Sequence, residues 1–342
     1  MTGVQGADIS APLDESARAE IVLAVGVLRA GGLVALPTET VYGLGADARN
    51  LHAVNRIFAA KRRPADHPLI VHIADAAQLH DWCADVPAAA ALLAEAFWPG
   101  PLTLILRRAA HVLDAVTGGQ DTIGLRVPAH PVALALLRQF AGGIAAPSAN
   151  RFGHVSPTTA AHVRAELGDE VDMILDGGAC SIGIESTIVD LTAALPRILR
   201  PGGVSRAQIE AVLGVVLPDS PLALSDAPRV SGALPSHYAP TTPVRWVDSA
   251  QLSATLRNAA LQGAVGVIAL AIERAESPAE QHATRIEWRA LPSDPAAYAR
   301  ALYARLRELD DCGLDVILLE VPPDTAPWEA VRDRLRRAAG LG

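Results

Sequence analysis

Of the 29 basic residues in this 342-residue chain, only one, Lys61, is a lysine. A surface ammonium is exchanged for a guanidinium at little cost, whereas a compact charge on a flexible stem is not replaceable where geometry is tight. A chain otherwise emptied of lysine therefore marks Lys61 as a position where chemistry decides the residue. It stands in KRRPADHPLIVHI, followed by Arg62 and Arg63, with Pro64 closing the preceding helical pattern. Cations at that point either offset a helix C-terminal dipole or clamp an anion such as a phosphate. Position does not discriminate between the two; the solitary lysine favours the clamp. His67 precedes Pro68, and His72 lies in an apolar strand pattern, where a histidine is either a packed, satisfied residue or a ligand contact.

Three other segments carry groups of the right kind. PTETVYGLG, Pro37 to Gly45, follows a short apolar run, at the strand end where open α/β sheets bind ligands. Thr38 and Thr40 offer hydroxyls and the glycines allow close backbone approach, although an ordinary polar turn has the same make-up, and Glu39 reads as a turn or helix cap. IAAPSANRFGHVSPTTA sets Ser148 and Asn150 after a strand and Ser156 before Pro157, at a helix start suited to phosphate oxygens or to a plain N-cap. In DGGACSIGIESTIVDLT and RILRPGG, Ser186 leads into one strand and Arg200 ends the next. Arg126, in TIGLRVP, is likewise an arginine within an apolar strand, where an unpaired charge is expensive, so both arginines call for an anionic partner. Cys180 has no base beside it and receives no nucleophilic role. FWPGPLTL reads as turn and core. There is no GxxxxGK[ST] loop, HExxH cluster, GxSxG elbow or evident carboxylate pair. Catalysis on these residues would rest on positioning and cation clamps.

The elements that must position these groups alternate. An amphipathic run through IVLAVGVLRA, capped by Asp14 or Ser16 and closed by Gly31 and Gly32, predicts a first helix. Strand LVALP, loop PTETVYGLGADARN, helix LHAVNRIFAA and strand PLIVHI follow, and the alternation continues to strands STIVDLT and RILRP. That pattern predicts an α/β domain over residues 20–215, behind an N-terminal extension 1–19. A Pro- and Ser-rich stretch without periodicity, 216–243, reads as a linker, expected to serve as a lid. Residues 244–342 alternate again, from VRWV to PWEAVRDRLRRAA, as a small Rossmann-like domain without GxGxxG. Half of the residues are hydrophobic, which excludes a disordered chain. The net charge of −8 disfavours a polyanion-binding coat, and three scattered cysteines fit neither a disulfide framework nor a zinc site. The acidic N-terminus and the lack of a long apolar stretch lead us to expect a soluble, cytoplasmic protein.

Taken in order, PTETVYGLG, the K-x-R of Lys61 and Arg63, HPLIVHI, LRVP, the S-x-N of Ser148 and Asn150, the EST strand and LRPG resemble the YrdC-like family over about residues 20 to 210. HYAP and the tail resemble its long, two-domain form. The resemblance implies a twisted, mostly covered α/β sheet with helices plus the Rossmann-like domain. The implied activity is nucleotidyl transfer: L-threonine, bicarbonate or CO2 and ATP, carried with Mg2+, give threonylcarbamoyl-AMP and pyrophosphate. A downstream transferase then modifies adenosine 37 of ANN-decoding tRNAs. By the same resemblance, Thr40, His72, Arg126, the backbone at Ala146, and Ser186 would hold threonine. Lys61, Arg63, His67, Thr122, Ser148, Asn150, Ser156 and Arg200 would meet ATP, with Tyr238 of HYAP folding over it and Lys61 and Arg63 catalytic. No side-chain metal site, stable nucleic-acid contact or membrane contact is implied. The rival readings are carbamoyl transfer in hydrogenase maturation, which needs an acylphosphatase module and zinc-finger cysteines not seen here, an RNA-binding module, and a purely structural α/β protein.

Overall fold

The structure, a computed structural model, describes residues 13–218, 227–232, 237–270 and 285–341; most of the expected N-terminal extension, two parts of the expected linker and much of the polar stretch after AVGVIAL lie outside them. The chain divides into two units. One runs to Phe152 and resumes from Ser156 to Ala233; the other takes Gly153–Val155 and the chain from Leu234 on.

The first unit begins with α1 (Glu15–Arg29), inside the segment expected to be an extension, and Asp14 caps it by accepting from the Ala17 amide at 2.7 Å. Then come β1 (Val34–Leu36), β2 (Gly43–Asp47), α2 (Leu51–Lys61), β3 (Ile70–His72), α3 (Leu79–Trp82), α4 (Ala88–Phe97), β4 (Leu102–Arg107), α5 (Asp114–Thr117) and β5 (Thr122–Arg126). They are followed by α6 (Pro131–Phe140), β6 (Ile144–Ala145), α7 (Ala160–Leu167), β7 (Met173–Ile174), β8 (Thr187–Asp190), β9 (Arg197–Arg200) and α8 (Arg206–Leu213). The strands form one mixed nine-stranded sheet in the order β7-β1-β2-β6-β3-β5-β4-β8-β9.

Period-two alternation explains why both faces are covered. On β1, Val34 and Leu36 join Leu28 of α1 and Leu136 of α6 in one core, while Ala35 joins Ile57 of α2 and Leu104 of β4 in the other. One expectation needs correcting: PTETVYGLGADARN is a loop only in its first half. GLGAD pairs antiparallel with β1 and β6 although it lacks β-branched residues. Gly45 permits the pairing, because a Cβ there would stand 2.8 Å from Leu36 and 2.9 Å from Ile144.

The second unit holds β10 (Val244–Val247), α9 (Ser249–Ala260), β11 (Val265–Leu270), β12 (Ile286–Leu291), α10 (Pro295–Asp310), β13 (Val316–Glu320) and α11 (Glu329–Ala338). The sheet is fully parallel, ordered β10-β13-β11-β12. Val267, Ala269 and Leu318 pack with Leu252 and Leu256 of α9. The alternating Ile268, Ile317 and Leu319 are buried as well, so both faces are covered, as a parallel sheet requires. The end strand β12 was not legible in the sequence.

Candidate functional site

Two strand ends lie side by side at the centre of the first sheet. His72 and Arg126, the last residues of β3 and β5, are paired positions of parallel strands, and their side chains therefore leave the sheet on the same face. Arg126 is buried. Its Nε donates to the Gly100 carbonyl at 3.1 Å, and Nη1 donates to Thr40 Oγ1 at 2.9 Å. Nη2 lies 2.7 Å from Glu39 Oε1. The N–H bonds of Nη2 are not aimed at that oxygen, and neither Nη2 nor either Glu39 oxygen has a hydrogen-bond partner among the described residues. The hydroxyl protons can be assigned. Thr38 Oγ1 donates to the Val41 carbonyl at 2.6 Å, so the proton between the Thr38 and Thr40 hydroxyls, 2.8 Å apart, comes from Thr40. Thr40 thus presents only a lone pair to a ligand. His72 is buried, its Nδ1 has no hydrogen-bond partner among the described residues, and burial followed by the Arg126 charge pushes its pKa down to about 3. It is a neutral imidazole at pH 7. The pocket therefore offers guanidinium donors on one side and neutral acceptors beside them. The Ala146 amide is given to the Ile70 carbonyl at 2.9 Å, which ties the end of β6 to the start of β3.

A cationic group lies next to it. Lys61, 1% exposed, ends α2, and its Nζ donates to the carbonyls of Ser148 at 2.6 Å and Asn150 at 2.5 Å. The Lys61 carbonyl accepts from the Phe152 amide at 2.8 Å. The lone lysine thus pins the Ser148–Asn150 turn from beneath. Burial, then the neighbouring Arg63, lowers its pKa well below the usual value, partly offset by Glu166. Arg62 takes a left-handed conformation (φ 51°) that ends the helix. Arg63 Nη2 donates to the Pro68 carbonyl at 2.9 Å and to Ser231 Oγ at 3.1 Å. His67 packs edge-on to Phe152, and burial together with Arg63 lowers its pKa.

Ser186, just before β8, is held between Thr103 of β4 and Arg200 of β9. Its Oγ lies 2.8 Å from Thr103 Oγ1 and accepts from Arg200 Nη2 at 3.2 Å, while its carbonyl accepts from Nε and Nη2 of the same arginine at 3.1 and 2.9 Å. Arg200 Nη1 donates to the Ser231 carbonyl at 2.8 Å. Gly202 lets this strand end approach: a Cβ there would stand 2.4 Å from backbone atoms of Glu185, Ser186 and Thr187. Thr122 lines a cleft with Pro68, Ile70, Gly124 and Ile188, into which Val230 of the linker packs.

Other expectations are resolved differently. Ser156 is not a helix cap: Thr159 caps α7, and the buried Ser156 hydroxyl donates to Glu185 Oε1 at 2.6 Å. Glu39 caps nothing and faces Arg126. Gly100, in the FWPGPLTL turn given no chemistry, supplies the carbonyl that holds Arg126; Trp98 Nε1 donating to the Leu102 carbonyl at 2.7 Å braces that turn. Sequence reasoning missed Glu39, Glu185 and Ser231. An acid within an otherwise apolar and hydroxyl-bearing loop was the one available signal for the first. Cys180 is buried, and burial raises its thiol pKa, which favours the protonated thiol over the thiolate. Tyr238 belongs to the second unit, where it stacks on Tyr303 with ring centroids 5.9 Å apart and lies under Arg334. Among the described residues no group of three or more His, Cys, Asp or Glu could hold a metal ion, and no helix is long and apolar enough to cross a membrane.

A family model for Sua5, YciO and YrdC proteins, described as telomere recombination, matches residues 26–202. The chain belongs to the Sua5/YciO/YrdC family. A second model, described as the C-terminal domain of threonylcarbamoyl-AMP synthase, matches residues 204–340. The threonylcarbamoyl-AMP synthase of Bacillus subtilis strain 168 is 42% identical over 324 residues, covering 94% of this chain and 93% of that one. The enzyme of the same name from Pyrococcus abyssi is 41% identical over 332 residues, covering 94% of each. The crystal structure of P. abyssi Sua5 complexed with L-threonine superposes with a TM-score of 0.85 at 40% identity, over 95% of each chain.

Proposed function

We propose that this protein is a threonylcarbamoyl-AMP synthase that builds threonylcarbamoyl-AMP and pyrophosphate from L-threonine, bicarbonate or CO2, and MgATP. The observation that carries the reading is the buried Arg126 with its uncommitted donors, in the same unit as the Arg63 and Arg200 cations that share Ser231. The P. abyssi relative with threonine bound supports the same assignment. In this reading the threonine carboxylate takes the open N–H groups of Arg126, a bidentate geometry that guanidinium favours. Thr40 and the neutral His72 accept from the amine or hydroxyl, beside Ala146 and Ser186. The amine, once neutral, forms a bond to the carbon of CO2 and loses a proton. An oxygen of the resulting carbamate then attacks the α-phosphorus of ATP, and the bond to the β-phosphate breaks to release pyrophosphate.

Two anions must meet in that step, so fixed cations near the phosphates lower its barrier. Arg63 and Arg200 fill this role, with Ser148, Asn150, Ser156, Thr122 and His67 placing the nucleotide. Lys61 acts through the turn that it pins and through its buried charge. Mg2+ enters with the nucleotide. Ser231 accepts from Arg63 Nη2 and from Arg200 Nη1, and in this reading those two N–H groups pass to phosphate oxygens when the nucleotide binds. The product's reactive mixed anhydride suits transfer, by a second protein, to adenosine 37 of tRNA in the cytoplasm. The test is pyrophosphate release by purified protein given ATP, threonine and bicarbonate. Release that requires threonine supports the reading; equal release without threonine refutes it.

A further inference from the structure

The Glu39 carboxylate is 1% exposed, sits 2.7 Å from Arg126 Nη2, and has no hydrogen bond to either oxygen among the described residues. A buried carboxylate without donors is costly unless an opposite charge compensates it. Among the described residues Arg126 is the only cation in an ion pair with it, so charge and not hydrogen-bond geometry keeps the two together. The consequence for Arg126 is specific. Nε is committed to Gly100 and one Nη1 proton to Thr40, while both protons of Nη2 and the second of Nη1 remain uncommitted. We propose that Glu39 is a positioning residue for the amino-acid substrate: it fixes the guanidinium of Arg126 by charge while leaving those three N–H groups to the substrate carboxylate. A neutral side chain in its place lets the guanidinium swing toward other acceptors, and an aligned carboxylate would use up the very donors that the substrate needs.

This rests on the reading of the pocket as the threonine site. The test compares wild type with Glu39→Gln, which keeps the shape and removes the charge, and with Glu39→Asp, which keeps the charge on a shorter stem. Threonine and ATP KM values, kcat and melting temperature are measured for each, and Glu39→Gln is repeated on an Arg126→Met background, with threonine binding followed by calorimetry. The expected result is a threonine KM raised about tenfold in Glu39→Gln, an ATP KM within twofold of wild type, and partial rescue in Glu39→Asp. On the Arg126→Met background Glu39→Gln should add nothing. An unchanged or lowered threonine KM overturns the role, as does a parallel rise in both KM values or an additive effect without Arg126. If Glu39→Gln does not fold, a wild-type threonine KM in Glu39→Asp overturns it. Wild-type protein that binds no threonine removes the substrate reading itself.

Discussion

Replacing Lys61 with methionine separates stability from catalysis, because the side chain keeps its length and loses only its charge. Two hydrogen bonds from a charged donor, to Ser148 O and Asn150 O at 2.6 and 2.5 Å, disappear. Bonds of that kind contribute about 1.5–3 kcal/mol each. Against this stands the cost of burying an ammonium, several kcal/mol. The two nearly cancel, so the net loss of stability should be about 1–2 kcal/mol, comparable to a routine substitution. The Lys61 carbonyl still accepts from Phe152, so the helix end stays tied to the chain. Activity behaves differently, since the pin under Ser148 and Asn150 and the buried charge are both gone. Loss of one preorganised electrostatic contact typically costs a factor of about 100–1,000 in kcat, or roughly 2.7–4 kcal/mol of barrier. Threonine-dependent pyrophosphate release, read beside a thermal melt, should therefore show a folded protein slowed by at least two orders of magnitude. Full turnover in a folded Lys61→Met protein would refute the reasoning from the lone lysine.

Two further outcomes follow from the geometry. Gly202→Ala pushes a Cβ to 2.4 Å from backbone atoms that cannot swing aside. It should cost about 1–3 kcal/mol and raise the threonine KM through displaced Ser186, seen by denaturant titration and steady-state kinetics; a variant of wild-type stability would contradict the close approach. His72 is protonated in the unfolded chain below its usual 6.5 and in the fold only near about 3. The unfolded state thus binds more protons in that window, and stability present above pH 6.5 is lost progressively as the pH falls through it. From pH 7 to 5 this one group costs about 2 kcal/mol. His72→Gln should shrink the shift in urea midpoint between these two pH values by that share, and an unaltered shift would show that the imidazole titrates as if in water.

How much was legible before the fold is clearest at single residues. Lys61, Arg126 and Arg200 announced themselves because a charge in an apolar strand, or a residue type used once, demands a reason that composition alone can display. The α/β alternation was equally plain, since periods of 2 and 3.6 are written in the order of apolar residues. GLGAD was not readable as a strand, because its extended form comes from its neighbours on both sides and from the room glycine leaves them. Among the described residues IEWRAL pairs on one side only, with β11, and its alternation is weak.

Sequence alone settled which groups carry charge and which segments must be buried, because both are properties of residue types and their spacing. Tertiary structure decided who meets whom. Glu39 and Arg126 are far apart in the chain and adjacent in space, and Ser156 turned from a helix cap into the partner of Glu185. The Gly100 carbonyl became a holder of Arg126 only because β4 and β5 bring that turn alongside it. Hydrogen bonds act over about 3 Å and depend on direction, so they exist only after strands have been brought into register.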